Sequence, residues 1–519
     1  MFNLSVILED SATTHPKKPA FTFNDVTLNF AQINAAANSF ANGLQNIGIK
    51  PGDKVALNCL NLPQFPIIYF GILKAGAVVV PLSVLLKKDE IAFQLANSDA
   101  KAFFCFTGTA ELPMCKFGWD AFNETNSCEH FYMIMPMPGM ASPIEGSVTT
   151  EVLTKDQPTT FETVQTIGDD TAVIIYTSGT TGVPKGAQLT HTNLFCNALI
   201  SIDVLRTLST DTQLLALPMF HIFAMTVQMN AGIYKAIHTI LLPRFDAAMA
   251  FQLFVKHSVS VFAGVPTMYW ALLNHNSDTV KDAEITKHLR MCVSGGASLP
   301  VKVLHDFEAR FKVPVTEGYG MSEGSPIVTF NQDTIGRKPG SIGTPVWGVE
   351  VKITDKNGNE LPVGEKGELW YRGHNVMKGY YKLSAATAEV LTNGWLHSGD
   401  IAVKDVDGFY FIVDRTNDMI IRGGKNVYPR EVEDAMMRHE AVSLVAVVGV
   451  PHEELGEEIK AFVVLKKDIV ATAEQLISWT KEQIASYKYP RHVQIVEALP
   501  MTATGKILKK ELRKTTVSP

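Results

Sequence analysis

Cysteine is scarce and unpatterned. The chain has six in 519 residues, and no two form a C-x-x-C pair. Thiolate metal ligation is therefore not expected. In a chain this long, Cys59, Cys105, Cys115, Cys128, Cys196 and Cys292 read as reduced, mostly buried thiols, which suits a cytoplasmic setting. Excess charge is also lacking: 46 Lys and Arg face 52 Asp and Glu, a net charge of -6. This argues against a nucleic-acid partner, and any anion site must be built locally from backbone N–H groups, a few cations and metal. An unbroken apolar span is missing too. The longest apolar stretch, FPIIYFGILKAGAVVVPLSVLL at 65–86, carries Lys74 near its middle and is interrupted by Gly71, Gly76 and Pro81. It predicts a buried helix ending near Ala75 and Gly76, then a core strand at 77–80. The opening MFNLSVILEDSATTHP lacks a basic region followed by an apolar run, so no signal peptide is expected there.

What is present is a large apolar share, 46%, with 19% charged residues. That suits a globular protein with a sizeable core, and the length suggests about three folding units. Strand-like apolar runs at 54–59, 102–106, 213–217 and 259–264 alternate with helical patterns such as 27–45. The alternation predicts an α/β fold with mainly parallel sheets. From about Asp414 onward a compact α+β unit is expected. It has a short strand at 419–421, a helix opened by Pro429, strands at 442–450 and 458–467, a helix near Thr472 with Gln475 placed for a capping box, a strand at 492–498 and a last short helix. The Met- and Pro-rich loop at 133–143 suggests no function.

Five stretches suggest chemistry. In YTSGTTGVPKGAQLTH, 176–191, hydroxyl residues, two Gly and Lys185 are expected on a loop that follows an apolar run. Thr177, Ser178, Thr180 and Thr181 can offer hydroxyls, Gly179 and Gly182 let the backbone approach a ligand, and Lys185 adds a point charge for phosphates. The familiar phosphate loop needs Gly-Lys followed by Ser or Thr, and here Lys185 lies between Pro184 and Gly186. In LRMCVSGGASLP, 289–300, Gly295, Gly296 and Ala297 leave space beyond a strand's carboxyl end, where open α/β sheets bind ligands. In VTEGYGMSEGSP, 315–326, Tyr319 between Gly318 and Gly320 can lie flat against a base, and Glu323 is an oxygen ligand suited to Mg2+. Asp400, expected at a strand start, and Arg415 can hold a ribose diol. Lys506, after Gly505 at a loop tip, can deliver a cation to a phosphoryl-type transition state. In isolation, Glu323, Asp400, Arg415 and Lys506 would each read as surface charges.

Taken together, YTSGTTGVPKG, LPMFHIFA, GYGMSE, GWLHSGD, VDRTNDMI, GGKNVYPREVE and TATGK occur in an order that resembles the adenylate-forming acyl-CoA synthetase superfamily. The chain is most similar to its fatty-acyl-CoA ligases. The resemblance implies an amino-terminal adenylation domain, 1–414, and a mobile carboxy-terminal domain, 415–519. It implies ATP, Mg2+ and CoA, and a small-molecule carboxylic acid, here a medium- to long-chain fatty acid, as substrate. By position, Thr177 to Gly182 and Lys185 would hold phosphates, with Thr180 also near the metal held by Glu323. Gly295, Gly296, Ala297, Glu317, Gly318, Tyr319, Gly320, Met321 and Ser322 would frame the nucleotide, and Asp400 and Arg415 the ribose. Lys506 would bridge acid and α-phosphate. Gly423 and Gly424 would reach the CoA channel after a rotation hinged at Asn417. His221, Phe220, Ala224, Gly264, Val265 and Gly320 would line the acid. These runs lack Asp and Lys, which favours an aliphatic acid; an aryl acid and a carrier-protein acceptor are the alternatives. Homodimerisation and peripheral membrane contact stay open.

Overall fold

The computed structural model describes residues 2–178, 183–332, 334–415, 418–467 and 469–514, with the backbone but not the side chain of Ser178 and Arg415. It is α/β, and the expected parallel sheets are there. One sheet runs Thr344–Pro345, Ile327–Phe330, Val315–Gly320, Met291–Ser294, Val261–Gly264, Thr212–Leu215, His238–Leu241, Pro19–Phe23, Val26–Asn29, with the stretch from Val315–Gly320 to Pro19–Phe23 parallel. A second runs Gly379–Tyr380, Pro184–Thr190, Thr171–Ser178, Val78–Pro81, Lys54–Asn58, Ala100–Phe106, His130–Ile134, Val148–Thr149, parallel from Thr171–Ser178 onward. Strands such as Val78–Pro81 are buried along their whole length, as sheets covered on both faces require. Two further sheets are mainly antiparallel. One holds Val349–Thr354, Lys366–Gly373, Trp395–Lys404 and Tyr410–Arg415, and the other holds Ile420–Arg422, Gly456–Leu465 and Val442–His452.

The interrupted apolar stretch folds as helix Gln64–Lys74 followed by strand Val78–Pro81. No helix among the described residues is long and apolar enough to cross a membrane. Lys74 is 1% exposed, and its ammonium meets the Glu9 carboxylate at 2.5 Å. A lone buried ammonium would cost several kcal/mol; Glu9, reaching over from the first helix, offsets that. The helix expected at 27–45 begins later, at Phe30, because Asn29 and Gln32 form a capping box. Residues 26–29 are a strand instead. The capping box at Thr472 and Gln475 is present, as is the helix Pro429–Met436. The cysteines are free thiols, with Cys115 and Cys196 only partly buried.

Candidate active site

The parallel strands of the first sheet deliver the expected residues to one edge. Gly264 and Ser294 end adjacent strands, and Val315–Gly320 lies next in register, Ser294 opposite Glu317. Tight packing explains the glycines there. A Cβ on Gly318 would lie 2.4 Å from Phe330, and one on Gly320 only 1.8 Å from the Pro326 carbonyl oxygen. A Cβ on Gly295 would come 3.1 Å from the Phe223 ring. Gly296 has φ of +79°, the left-handed region that glycine tolerates. Met321 is partly buried at this edge, and Ala297 is exposed.

Residues expected on the phosphate side gather around Glu323, which is 5% exposed rather than a surface carboxylate. Its Oε1 accepts hydrogen bonds from the Thr177 hydroxyl at 3.1 Å and the Tyr380 hydroxyl at 2.9 Å. Lys185 belongs to strand Pro184–Thr190, not to a loop, because the segment returns as the second arm of a hairpin with Thr177 opposite Lys185. Its ammonium lies 5.3 Å from the centre of the Tyr380 ring. Ser322 and Glu323 sit on a short 3-10 turn, Ser322–Gly324. The Ser178 side chain, Gly179, Thr180, Thr181 and Gly182 fall outside the described residues.

Of the residues expected to hold the ribose, Asp400 is 6% exposed and lies within strand Trp395–Lys404, not at its start. It stands opposite Arg415 in the register, whose side chain is outside the description. The Tyr319 hydroxyl donates to Asp400 Oδ2 at 2.5 Å. Burial and the Asp400 carboxylate push the Tyr319 phenol well up, so it stays a donor. Tyr371, fully buried nearby, feels the charges of both Glu323 and Asp400, which puts the two carboxylates in one neighbourhood. Glu317 is 6% exposed and accepts from the backbone N–H of Leu299 and of Gly340, each at 3.2 Å. Burial raises its carboxyl to about 7 against those two donors.

The residues expected to line the acid centre on His221, just before a π-helical segment, Phe223–Asn230. Such segments often mark functional sites. The ring Nδ1 accepts the Phe223 N–H at 3.3 Å. That assigns the proton of the neutral ring to Nε2. Burial, then the Lys506 ammonium, push its pKa down to about 4. The loop bearing Lys506 packs on this side: the Thr267 hydroxyl donates to the Gly505 carbonyl at 3.4 Å, and a Cβ on Gly505 would meet Thr267 at 2.5 Å and Val265 at 3.0 Å. Phe220, Ala224 and Val265 are buried around it. Gly423 and Gly424 instead form the turn between Ile420–Arg422 and Lys425–Val427, where Gly423 donates to the Leu455 carbonyl. Asn417 is outside the described residues. Sequence reasoning missed Tyr380, Tyr371 and Thr267, which only contacts distant in the chain reveal, and the π-helical segment.

Comparison with known proteins follows the same lines. The AMP-binding enzyme family model matches residues 8–381, and the AMP-binding enzyme C-terminal domain model matches residues 431–506. The chain is 37% identical to the long-chain-fatty-acid–CoA ligase of Bacillus subtilis (strain 168), covering 98% of this chain and 94% of the relative. It resembles the benzoate CoA ligase from Burkholderia xenovorans LB400, with TM-score 0.89, 28% identity and coverage of 99% and 100%. It also resembles ATP-bound MatB from Rhodopseudomonas palustris, with TM-score 0.88, 29% identity and 99% of each chain covered. Against apo MatB the TM-score is 0.78, at 29% identity and coverage of 99% and 98%.

Proposed function

The chain belongs to the AMP-binding enzyme family, and from that premise we propose that it activates medium- to long-chain fatty acids with ATP and transfers the acyl group to CoA. It is an AMP-forming acid–thiol ligase. In the first half-reaction a carboxylate oxygen attacks the α-phosphorus, the bond to pyrophosphate breaks, and acyl-AMP forms. In the second, the CoA thiol releases its proton to solvent, its sulfur bonds the acyl carbonyl carbon, and the acyl C–O bond of the mixed anhydride breaks, its electron pair leaving with AMP.

Each residue is asked for a modest task. Asp400, with Arg415, binds the ribose. Lys185 faces the outer phosphates. Neutral His221 orients the acid through Nε2–H without adding charge. Lys506 neutralises charge between acid and α-phosphate, which removal of comparable groups suggests is worth about 3 kcal/mol. The Glu323 pocket fits Mg2+: a buried hard carboxylate whose Oε1 is fixed by two hydroxyls while Oε2 takes no part in those bonds. Among the described residues no cluster of three metal-binding side chains occurs, so such an ion would share its shell with substrate phosphates and water. Bound there, Mg2+ would neutralise phosphate charge.

The observation that carries this reading is the docking of the Gly505–Lys506 loop on Val265 and Thr267, beside His221. The better match to ATP-bound MatB than to apo MatB supports taking this as the adenylating arrangement. We place the domain boundary near residue 414 and the hinge just after it. A later rotation would withdraw Lys506 and bring Gly423 and Gly424 to CoA. The proposed setting is cytoplasmic, where the thiols stay reduced. An aryl acid is the second reading, favoured by the likeness to benzoate CoA ligase. Pyrophosphate release across acids of graded chain length and aromaticity, with and without CoA, tests the choice. Turnover should rise with aliphatic length; preference for benzoate or cinnamate would reverse the assignment.

A further inference from the structure

Glu323 and Lys185 come from segments far apart in sequence, and one side chain touches both. Tyr380 lies on the two-residue strand Gly379–Tyr380, paired with Gln188 and Ala187 of the Lys185 strand. Its backbone is pinned: its N–H donates to the Thr387 hydroxyl at 2.9 Å, and the next residue donates to the Gly186 carbonyl at 2.8 Å. The Met377 N–H donates to the Glu323 carbonyl at 2.9 Å, tying the same segment to the Glu323 main chain. Tyr380 is 9% exposed. It therefore points a fixed hydroxyl at Oε1 and a fixed ring face at the Lys185 ammonium.

We propose that Tyr380 is a positioning residue for nucleotide binding: its hydroxyl orients Glu323 so that Oε2 faces the metal–phosphate group, and its ring holds the Lys185 ammonium toward the same phosphates. Thr177 alone would leave the carboxylate one anchor, about which it can swing. A hydrogen bond to a charged acceptor and a cation–π contact have separable effects.

The inference rests on the reading of Glu323 as the Mg2+ ligand, and the test separates the two. ATP binding is measured by calorimetry without acid or CoA, once with Mg2+ and once with a chelator, for the wild type, Tyr380→Phe, Tyr380→Leu and Glu323→Gln. Thermal midpoints identify any variant that fails to fold. Tyr380→Phe keeps the ring and loses the hydroxyl, so Mg·ATP should bind about tenfold more weakly while metal-free ATP binds as before. Tyr380→Leu should weaken metal-free ATP as well, by roughly threefold, through loss of the ring under Lys185. Equal weakening of both forms by Tyr380→Phe would mean a merely structural hydroxyl and overturn the proposal. So would wild-type Mg·ATP binding by Tyr380→Phe alongside impaired binding by Glu323→Gln. If Glu323→Gln itself leaves Mg·ATP binding intact, the metal reading falls, and the role of Tyr380 with it.

Discussion

Gly505→Ala tests the docked loop with a single methyl group. Gly505 has φ of +76°, so alanine is strained there whatever the loop touches. That strain belongs to the loop itself, docked or withdrawn, and does not favour one arrangement over the other. The new Cβ adds a contact specific to the docked arrangement, at 2.5 Å from the Thr267 hydroxyl oxygen and 3.0 Å from Val265 Cγ2. The hydroxyl can rotate aside, but the Val265 methyl is packed in the core. Overpacking of this kind costs about 1–3 kcal/mol. About 2 kcal/mol would reduce the docked population roughly thirtyfold. The assay compares pyrophosphate release from acid and ATP with thioester formation from supplied acyl-AMP and CoA. Pyrophosphate release should fall by about that factor more than thioester formation does. Equal losses would refute the argument that docking on Val265 and Thr267 serves the first step.

Three other outcomes are expected. Lys506→Ala should cut acyl-AMP formation by about a hundredfold or more while sparing thioester synthesis from supplied acyl-AMP; matching losses in the two rate measurements would contradict its role. Asp400→Ala should weaken ATP about tenfold or more in equilibrium binding, as loss of charge-assisted hydrogen bonds demands, and unchanged affinity would remove the ribose contact. Glu317 carries a carboxyl raised from its ordinary 4.5 to about 7 in the folded chain. The folded state thus holds the extra proton between those values, and its contribution to stability declines as pH rises through that window, by about 3 kcal/mol in all. Glu317→Gln should therefore lose less stability than wild type between about pH 5 and about pH 8 in urea melts; parallel pH profiles would refute the raised carboxyl.

Much of the architecture is written locally. Asn29 with Gln32, and Thr472 with Gln475, are capping boxes set by residues three apart. The buried strand Val78–Pro81 follows from an all-apolar run. The first capping box also shows where a periodicity reading fails: apolar spacing alone extends the helix back to residue 27, whereas Asn29 stops it. Site residues were legible where a motif brings its own backbone, as with the glycines beside Phe223, Phe330 and Pro326. Partners were not. Glu323 is marked as an oxygen ligand by its motif, but its pairing with Thr177 and Tyr380 goes unremarked until the fold brings them to it, across 146 and 57 residues. Thr267 is likewise an unremarkable helix residue until Gly505, 238 residues away, packs on it. Lys185 looked like a loop residue because the hairpin pairing that places it in a strand depends on register, not composition.

The central claim is that a fatty acid is first activated as a mixed anhydride with AMP, independently of thiol. It is tested most directly by mass spectrometry of a single turnover with Mg·ATP and a long-chain fatty acid in the absence of CoA. The account predicts enzyme-bound acyl-AMP together with released pyrophosphate, and its conversion to acyl-CoA and AMP once CoA is added. ADP and inorganic phosphate as products, or no adenylate from any fatty acid, would contradict it.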